Sequence, residues 1–205
     1  MKNDITTDIL VCGAGPSGFA AAVSAARLGA GVVLAEKYGF PGGMATAGLV
    51  NPFMVSKFEG RDLVKGIFEE IVLALKEKNA AIDGELFGQP HIAFDPEILK
   101  MLLIEMLEKA SVKMLFHSIA CASIMKGDEI KGAVLNTKSG DIRVFAKNVI
   151  DATGDGDIAA FSCCEFEKGR ESDGLMQPAT LNFRVSGVDS SRMPSREEMN
   201  ELYLI

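Results

Sequence analysis

Three glycines and one carboxylate near the N-terminus have the residue types and spacing needed to hold a dinucleotide. Gly13, Gly15 and Gly18 form a G-x-G-x-x-G turn. In this pattern the first glycine allows a tight turn, the second lets the backbone approach a pyrophosphate, and the third lets the next helix pack closely on its strand. Glu36 follows where the pattern places an acid for ribose hydroxyls, about 20 residues further on. This acid favours an unphosphorylated ribose, but the stretch by itself leaves FAD and NAD open.

The residues around this turn predict the elements that must position it. Residues 9–12 form a short apolar run, typical of a buried parallel strand. The alanine-rich residues 17–28 predict a helix that ends before Gly29, and its N-terminal N–H groups face the turn, where they can bind phosphate. Residues 32–34 predict a second strand leading to Glu36. A strand, helix and second strand therefore surround the candidate cradle.

A second glycine-rich loop, residues 37–48, follows Glu36 directly. Its four glycines and one proline exclude a regular helix or strand. Gly42 and Gly43 present N–H groups without a Cβ in the way, and Thr46 offers a hydroxyl. We therefore expect this loop beside the cofactor.

The rest of the chain predicts an α/β fold. Apolar residues at three-and-four spacing indicate an amphipathic helix, and Asp95 followed by Pro96 is typical of a helix start. The predicted elements are a helix at 61–78, a loop at 79–93, a helix at 95–109, a strand at 112–116, a three-stranded β-meander at 119–145, a strand at 148–151 running into a glycine turn at 152–157, a strand at 177–185 and a helix from Ser195.

The histidines and cysteines give no catalytic or metal assignment. His91 and His117 stand alone in the sequence, and each is interpreted as structural. The four cysteines lack C-x-x-C spacing, so neither a zinc site nor a complete iron–sulfur set is predicted. We interpret them as buried, small apolar residues in a reducing compartment.

Composition limits the classes of partner. The chain has 205 residues, 48% of them hydrophobic, a net charge of −7 and a pI near 5.0. This acidity argues against nucleic-acid binding, so small molecules or proteins are the expected partners. The N-terminus lacks the apolar core of a signal peptide, and no apolar run approaches the ~18 residues of a membrane span, which leaves the cytoplasm as the default location.

Five motifs together resemble the FAD-dependent oxidoreductases with two-dinucleotide-domain flavoprotein architecture, a group that includes the flavoproteins of heterodisulfide reductase and their relatives. The motifs are GAGPSG at 13–18, Glu36, PGGMAT at 41–46, FDPEILKMLLIEML at 94–107 and VIDATGDGDIAA at 149–160, and the pattern at 166–189 is also similar. The resemblance implies a Rossmann-like FAD-binding domain at 1–160, built of a parallel sheet plus a β-meander in a three-layer ββα arrangement. It also implies a helical insertion at about 51–110 and the beginning of a substrate or cap domain at 161–205.

The resemblance also implies a set of cofactor contacts. It places the first glycine turn on the FAD pyrophosphate, Glu36 on the adenosine ribose, Ala120 at the adenine, and the turn at 152–157 against the opposite side of the cofactor. The implied site residues are Gly13, Gly15, Pro16, Ser17, Gly18, Glu36, Lys37, Gly42, Gly43, Met44, Thr46, Ala120, Thr153, Gly154 and Asp157. Noncovalent FAD is expected, because neither histidine lies in the loops assigned to the flavin ring.

The expected function is electron or hydride transfer through FAD, with a small-molecule substrate or a redox protein partner, which could carry an iron–sulfur cluster. Two other interpretations stay open: a nucleotide-binding module that is inactive by itself, and an NAD-dependent dehydrogenase. Members of this architecture continue well past this length. We therefore expect the 205-residue chain to be a portion of a larger enzyme, forming oligomers through its C-terminal region.

Overall fold

The computed structural model describes residues 4–54, 57–58, 61–86, 89–195 and 198. It contains strands and helices intermixed along the chain, as in an α/β fold. The strands are β1 Ile5–Cys12, β2 Val32–Ala35, β3 Phe53–Met54, β4 Lys57–Phe58, β5 Arg61–Asp62, β6 Ala81–Leu86, β7 Gln89–Phe94, β8 Lys113–Leu115, β9 Ile119–Lys126, β10 Glu129–Thr137 and β11 Gly140–Asp151. The helices are α1 Pro16–Arg27, α2 Ile67–Glu77, α3 Pro96–Lys109 and α4 Asp157–Phe161.

One six-stranded sheet carries the fold, in the order β8-β2-β1-β11-β10-β9. The first four strands run parallel, and β10 and β9 are antiparallel. Strand β11 belongs to both parts, because it pairs with β10 on one side and with β1 on the other. The sequence predicted two strands here. The prediction of a break was wrong, because Lys147 points to solvent and pairs with Asp8 at 2.7 Å while Ala146 stays buried, as alternation along one strand requires.

Two apolar clusters lie on opposite faces of the parallel strands. One joins Val11 and Leu34 to α1 and α3 through Phe19 and Leu103. The other joins residues of the opposite faces of β1 and β2 to Leu135 of the meander. Helices therefore pack on one face of the parallel strands, and a meander residue joins the apolar cluster on the other. The predicted Rossmann-like α/β fold class is confirmed.

The region between β2 and α3 differs from the prediction in two places. Helix α2 begins at Ile67, not at residue 61, because Gly66 adopts φ 68 directly before it and interrupts the helical backbone. Residues 79–93 are not a loop, since β6 and β7 form a hairpin there. Pro90 has no backbone N–H to donate. It fits this hairpin because the described pairing of β7 with β3 involves only His91 and Ile92 and does not reach Pro90.

The described residues after α4 form little regular structure. Between 162 and 195 the described elements are limited to a 3-10 turn at Ser190–Arg192. The predicted strand at 177–185 was wrong, since these residues pair with no described strand and are exposed throughout, so no neighbouring strand satisfies their backbone hydrogen bonds. The predicted helix from Ser195 lies mostly outside the described residues. No described helix is both long and apolar enough to span a membrane.

Candidate cofactor site

A cleft of about 510 Å³ opens where β1, β2 and β11 end. Ligands of parallel α/β sheets bind outside the carboxyl ends of the strands, and small-molecule sites commonly have volumes of about 300–1,000 Å³. Most of the predicted site residues line this cleft. They are Gly13, Gly15, Pro16, Ser17, Glu36, Lys37, Gly43, Met44, Ala120, Thr153, Gly154 and Asp157.

The first glycine turn, residues 13–18, contains two closely packed glycines and one open glycine. A Cβ on Gly13, which has φ 98, would lie 2.1 Å from the carbonyl oxygen of Ala152, and a Cβ on Gly18 would lie 1.9 Å from the carbonyl oxygen of Gly13. A Cβ on Gly15 would meet nothing within 4 Å. Gly13 and Gly18 are therefore required by packing, whereas the missing side chain of Gly15 leaves space in the cleft.

Helix α1 begins at this open glycine. Gly15 is its N-cap, no side chain caps the helix, and its first turn contains no acidic residue. Pro16 stands at the first helical position, where its missing N–H leaves no hydrogen bond unmade. An uncapped helix N-terminus has backbone N–H groups and a positive dipole end available for an anion. The cleft therefore fits a diphosphate at the position that the sequence predicted.

Glu36 ties the end of β2 to the first glycine turn. It is only 4% exposed. Its Oε2 accepts a hydrogen bond from the backbone N–H of Ala14 at 2.7 Å, and its Oε1 accepts one from that of Tyr38 at 2.9 Å. Each carboxylate oxygen can accept a second hydrogen bond. Because Glu36 also lines the cleft, the remaining acceptor capacity suits a ribose hydroxyl.

In the loop after β2, some residues hold the backbone in place and others line the cleft. Gly42, at φ 111, donates its N–H to the carbonyl of Ala14 at 2.8 Å, and the Thr46 hydroxyl donates to the carbonyl of Pro41 at 2.8 Å. Gly42 and the buried Thr46 do not line the cleft, whereas Gly43 and Met44 do. The structure therefore gives Gly42 and Thr46 contacts that hold the loop, and their direct contact with a cofactor stays a prediction.

The second glycine turn, residues 152–157, is organised by Asp151, which the sequence analysis did not select. Asp151 Oδ1 accepts from the Thr153 hydroxyl at 2.7 Å and its N–H at 3.1 Å, and Oδ2 accepts from the Ala159 N–H at 2.9 Å. Burial raises the pKa of Asp151, but these hydrogen bonds outweigh burial and lower the pKa below its ordinary value. The available signal was a carboxylate at a strand end directly before a glycine turn.

The histidines and cysteines lie away from the cleft lining. His91 borders a second cavity between α2 and β7, and His117 packs on Gly39. Cys12 is buried, and burial, with the charge of Asp151, raises its pKa to about 12. The other three cysteines are exposed, so the expectation that all four are buried was wrong. The described residues contain no group of three or more His, Cys, Asp or Glu side chains placed to hold a metal ion.

The sequence of residues 8–202 matches the family described as FAD dependent oxidoreductase. The chain belongs to this family. The resemblance drawn from the motifs is thereby confirmed, with FAD as the family's cofactor. A comparison with curated proteins gave no match.

Several solved structures share the fold. The THI4 protein of Thermovibrio ammonificans has 22% identity and a TM-score of 0.54 over 76% of this chain. A geranylgeranyl bacteriochlorophyll reductase-like protein of Thermoplasma acidophilum has 20% identity and a TM-score of 0.52 over 80%. Glycerol-3-phosphate dehydrogenase of Bacillus halodurans, solved with FAD, has 15% identity and a TM-score of 0.52 over 72%. The matches span 61%, 43% and 34% of those chains.

Proposed function

We propose that this chain binds FAD noncovalently in the cleft at the ends of β1, β2 and β11, and that it serves an oxidoreductase reaction by electron or hydride transfer through the FAD. The observation that carries the proposal is the open space at Gly15 beside the uncapped start of α1. A diphosphate needs backbone N–H groups approached at close range, and this arrangement offers them. Bound FAD would supply the electron chemistry, while the protein supplies binding and orientation.

The residues around the cleft have distinct proposed tasks. The first glycine turn holds the diphosphate, and Glu36 accepts hydrogen bonds from the adenosine ribose. Gly43 and Met44 border the diphosphate from the loop after β2, while Ala120 on β9 borders the adenine. The second glycine turn closes the cleft from the β11 side. The family match favours FAD over NAD, which the first glycine turn alone left open.

The proposal extends to the partners and to the division into domains. We propose a small-molecule substrate and a small-molecule or redox-protein electron acceptor, which could carry an iron–sulfur cluster. We also propose that residues 161–205 begin a substrate or cap domain through which oligomers form. The exposed apolar side chains of this segment support that assignment. Among the described residues they are Phe161, Phe166, Leu175, Met176, Leu181, Phe183, Val185, Val188 and Met193. Four unpaired cysteines support a reducing location, the cytoplasm.

The visible absorption spectrum of the purified protein tests FAD binding. We expect flavin absorption that is retained on gel filtration, and release of intact FAD on denaturation, identified by mass. Apoprotein prepared by denaturant washing should recover this absorption when FAD is added. Protein that shows no flavin absorption even after reconstitution would contradict the proposal, and release of NAD in place of FAD would favour the dehydrogenase alternative.

A further inference from the structure

Two adjacent cysteines follow α4 and take no part in the cofactor cleft. Cys163 and Cys164 are both exposed and unpaired, and neither lines the cleft. They lie in a turn, not in a strand, where successive side chains would point to opposite faces. The backbone of Cys163 has φ 57, a left-handed value that is uncommon for a residue other than glycine. Two thiols are thus presented on a tightly turned piece of backbone.

The turn that carries the two thiols is held at several points. The N–H of Cys163 donates to the carbonyl of Ala160 at 3.1 Å, and the N–H of Cys164 donates to the carbonyl of Ala159 at 3.0 Å. The hydroxyl of Ser123, on β9, donates to the carbonyl of Phe161 at 2.9 Å. The turn is therefore fixed both to the end of α4 and to the neighbouring strand, which lowers the entropy lost when both sulfurs engage one ligand.

A disulfide within the pair is disfavoured. Cα atoms of adjacent residues lie about 3.8 Å apart across a trans peptide, whereas disulfides normally need about 4.4–6.8 Å. A disulfide forced into this spacing is strained, and strained disulfides are readily reduced. The pair therefore remains a dithiol in a reducing compartment.

The ligand of this pair must be one that two sulfurs can hold without further protein ligands. The described residues offer no group of three or more His, Cys, Asp or Glu side chains placed to hold a metal ion, whereas a structural zinc site takes four protein ligands. Thiolates prefer soft partners. We propose that Cys163 and Cys164 form a dithiol site for a thiophilic electrophile of the trivalent organoarsenical class. The two sulfurs attack one arsenic atom and their protons go to its oxygen: two As–S bonds form, the As=O bond breaks, the oxygen leaves with both protons as one water molecule, and no atom changes oxidation state.

Phenylarsine oxide is the probe for this site. The full 205-residue chain is treated with it in excess 2-mercaptoethanol, and the adduct is measured by intact-protein mass and located by peptide mapping. We expect one adduct per chain on the peptide containing Cys163 and Cys164, resistant to the monothiol and released by dithiothreitol. An adduct that 2-mercaptoethanol removes, or one located elsewhere, would overturn the proposal.

Three single variants separate a paired site from general thiol reactivity. Cys163→Ser and Cys164→Ser should each lower adduct retention at least about tenfold, because one sulfur alone exchanges with the monothiol. Cys121→Ser is the matched control, since Cys121 is also exposed but has no adjacent cysteine, and it should retain the parent level. Full retention in Cys163→Ser would refute the pairing. Thermal unfolding of each variant checks that it is folded, and the readout does not depend on FAD, so it stands apart from the proposed function.

Discussion

The two glycine turns leave neighbouring parallel strands at paired positions, yet their hydrogen bonding differs. The first turn follows Cys12 and the second follows Asp151, and these two residues lie opposite each other in the β1–β11 pairing. In the first turn Ala14 donates to Glu36, but no side chain takes the N–H groups at the start of α1, which leaves them for a ligand. In the second turn the Asp151 carboxylate, an internal anion, already occupies the N–H groups of Thr153 and Ala159.

The difference originates in a few local residues. Before α1, the chain has a glycine N-cap, a proline and no acid in the first turn. Around the second turn, Asp151 supplies a carboxylate, and the hydroxyl of Thr153 accepts from the N–H of Asp157 at 2.9 Å. An anion added beside the Asp151 carboxylate would meet like charge. This difference supports the proposal that the diphosphate binds at the uncapped start of α1, with the second turn as the opposite wall of the cleft.

Substitution of Gly13 should give the largest effect, because this glycine packs the two turns together. Gly13→Ala places a Cβ 2.1 Å from the Ala152 carbonyl oxygen at a left-handed φ of 98. We expect a loss of about 3 kcal/mol or more in the free energy of unfolding, from overpacking plus backbone strain, measured by urea unfolding. Gly29→Ala is the matched control, since φ is 90 there but its Cβ would meet nothing within 4 Å. Equal losses in the two variants would show that packing between the turns does not matter.

Substitution of Gly15 should separate binding from folding. The backbone of Gly15 has φ −62, which any residue adopts, and a Cβ there has open space. Gly15→Val should therefore unfold at nearly the same urea concentration as the parent when FAD is absent. Its FAD affinity, measured by titration of flavin fluorescence, should fall at least about 100-fold, equivalent to about 2.7 kcal/mol, because the side chain occupies the space of the diphosphate. Parent-like affinity would remove the first turn from the cofactor site.

The features that the sequence predicted are encoded within short stretches. The first glycine turn and its flanking elements form one contiguous segment with a distinctive pattern. The start of α3 was predicted from Asp95, whose side chain accepts from the N–H groups of Glu97 and Ile98, because a helix cap involves only near neighbours. Local chemistry of this kind can be identified without knowing the rest of the fold.

The features that the sequence did not predict depend on distant partners. The continuity of β11 requires β1 and β10 on either side of it, and the β6–β7 hairpin was concealed by Gly84 and Pro90, which usually indicate loops. The apolar alternation at 177–185 gave the opposite error, since it pairs with no strand in the described part of the chain and stays irregular there. Asp151 is different, because its partners Thr153 and Ala159 lie within eight residues of it, so its role is encoded locally.

Glu36 variants test how the first turn is connected to the ribose. Glu36→Ala removes the acceptor for the buried Ala14 N–H as well as the proposed ribose contact. We expect FAD affinity to fall by roughly 10- to 150-fold, as for one charge-assisted hydrogen bond of about 1.5–3 kcal/mol, and apoprotein stability to fall as well. Glu36→Gln keeps one carbonyl oxygen and should show a smaller loss in both measurements. Unchanged FAD affinity in Glu36→Ala would contradict the ribose assignment.

Asp151 should give the smallest effect, and one that depends on pH. Its pKa is lowered in the folded protein, so its carboxylate stabilises the fold above the unfolded-state pKa, ordinarily near 3.8, and this contribution is lost as pH falls through the lower folded-state pKa. Asp151→Asn should therefore cost about 1 kcal/mol at neutral pH, after allowance for its partial exposure. The difference from the parent should shrink below about pH 4. Urea unfolding of the apoprotein at both pH values measures this, with Asp155→Asn, an exposed carboxylate of the same turn, as the control. A difference that does not change with pH would show that the second turn is held by packing and not by its internal anion.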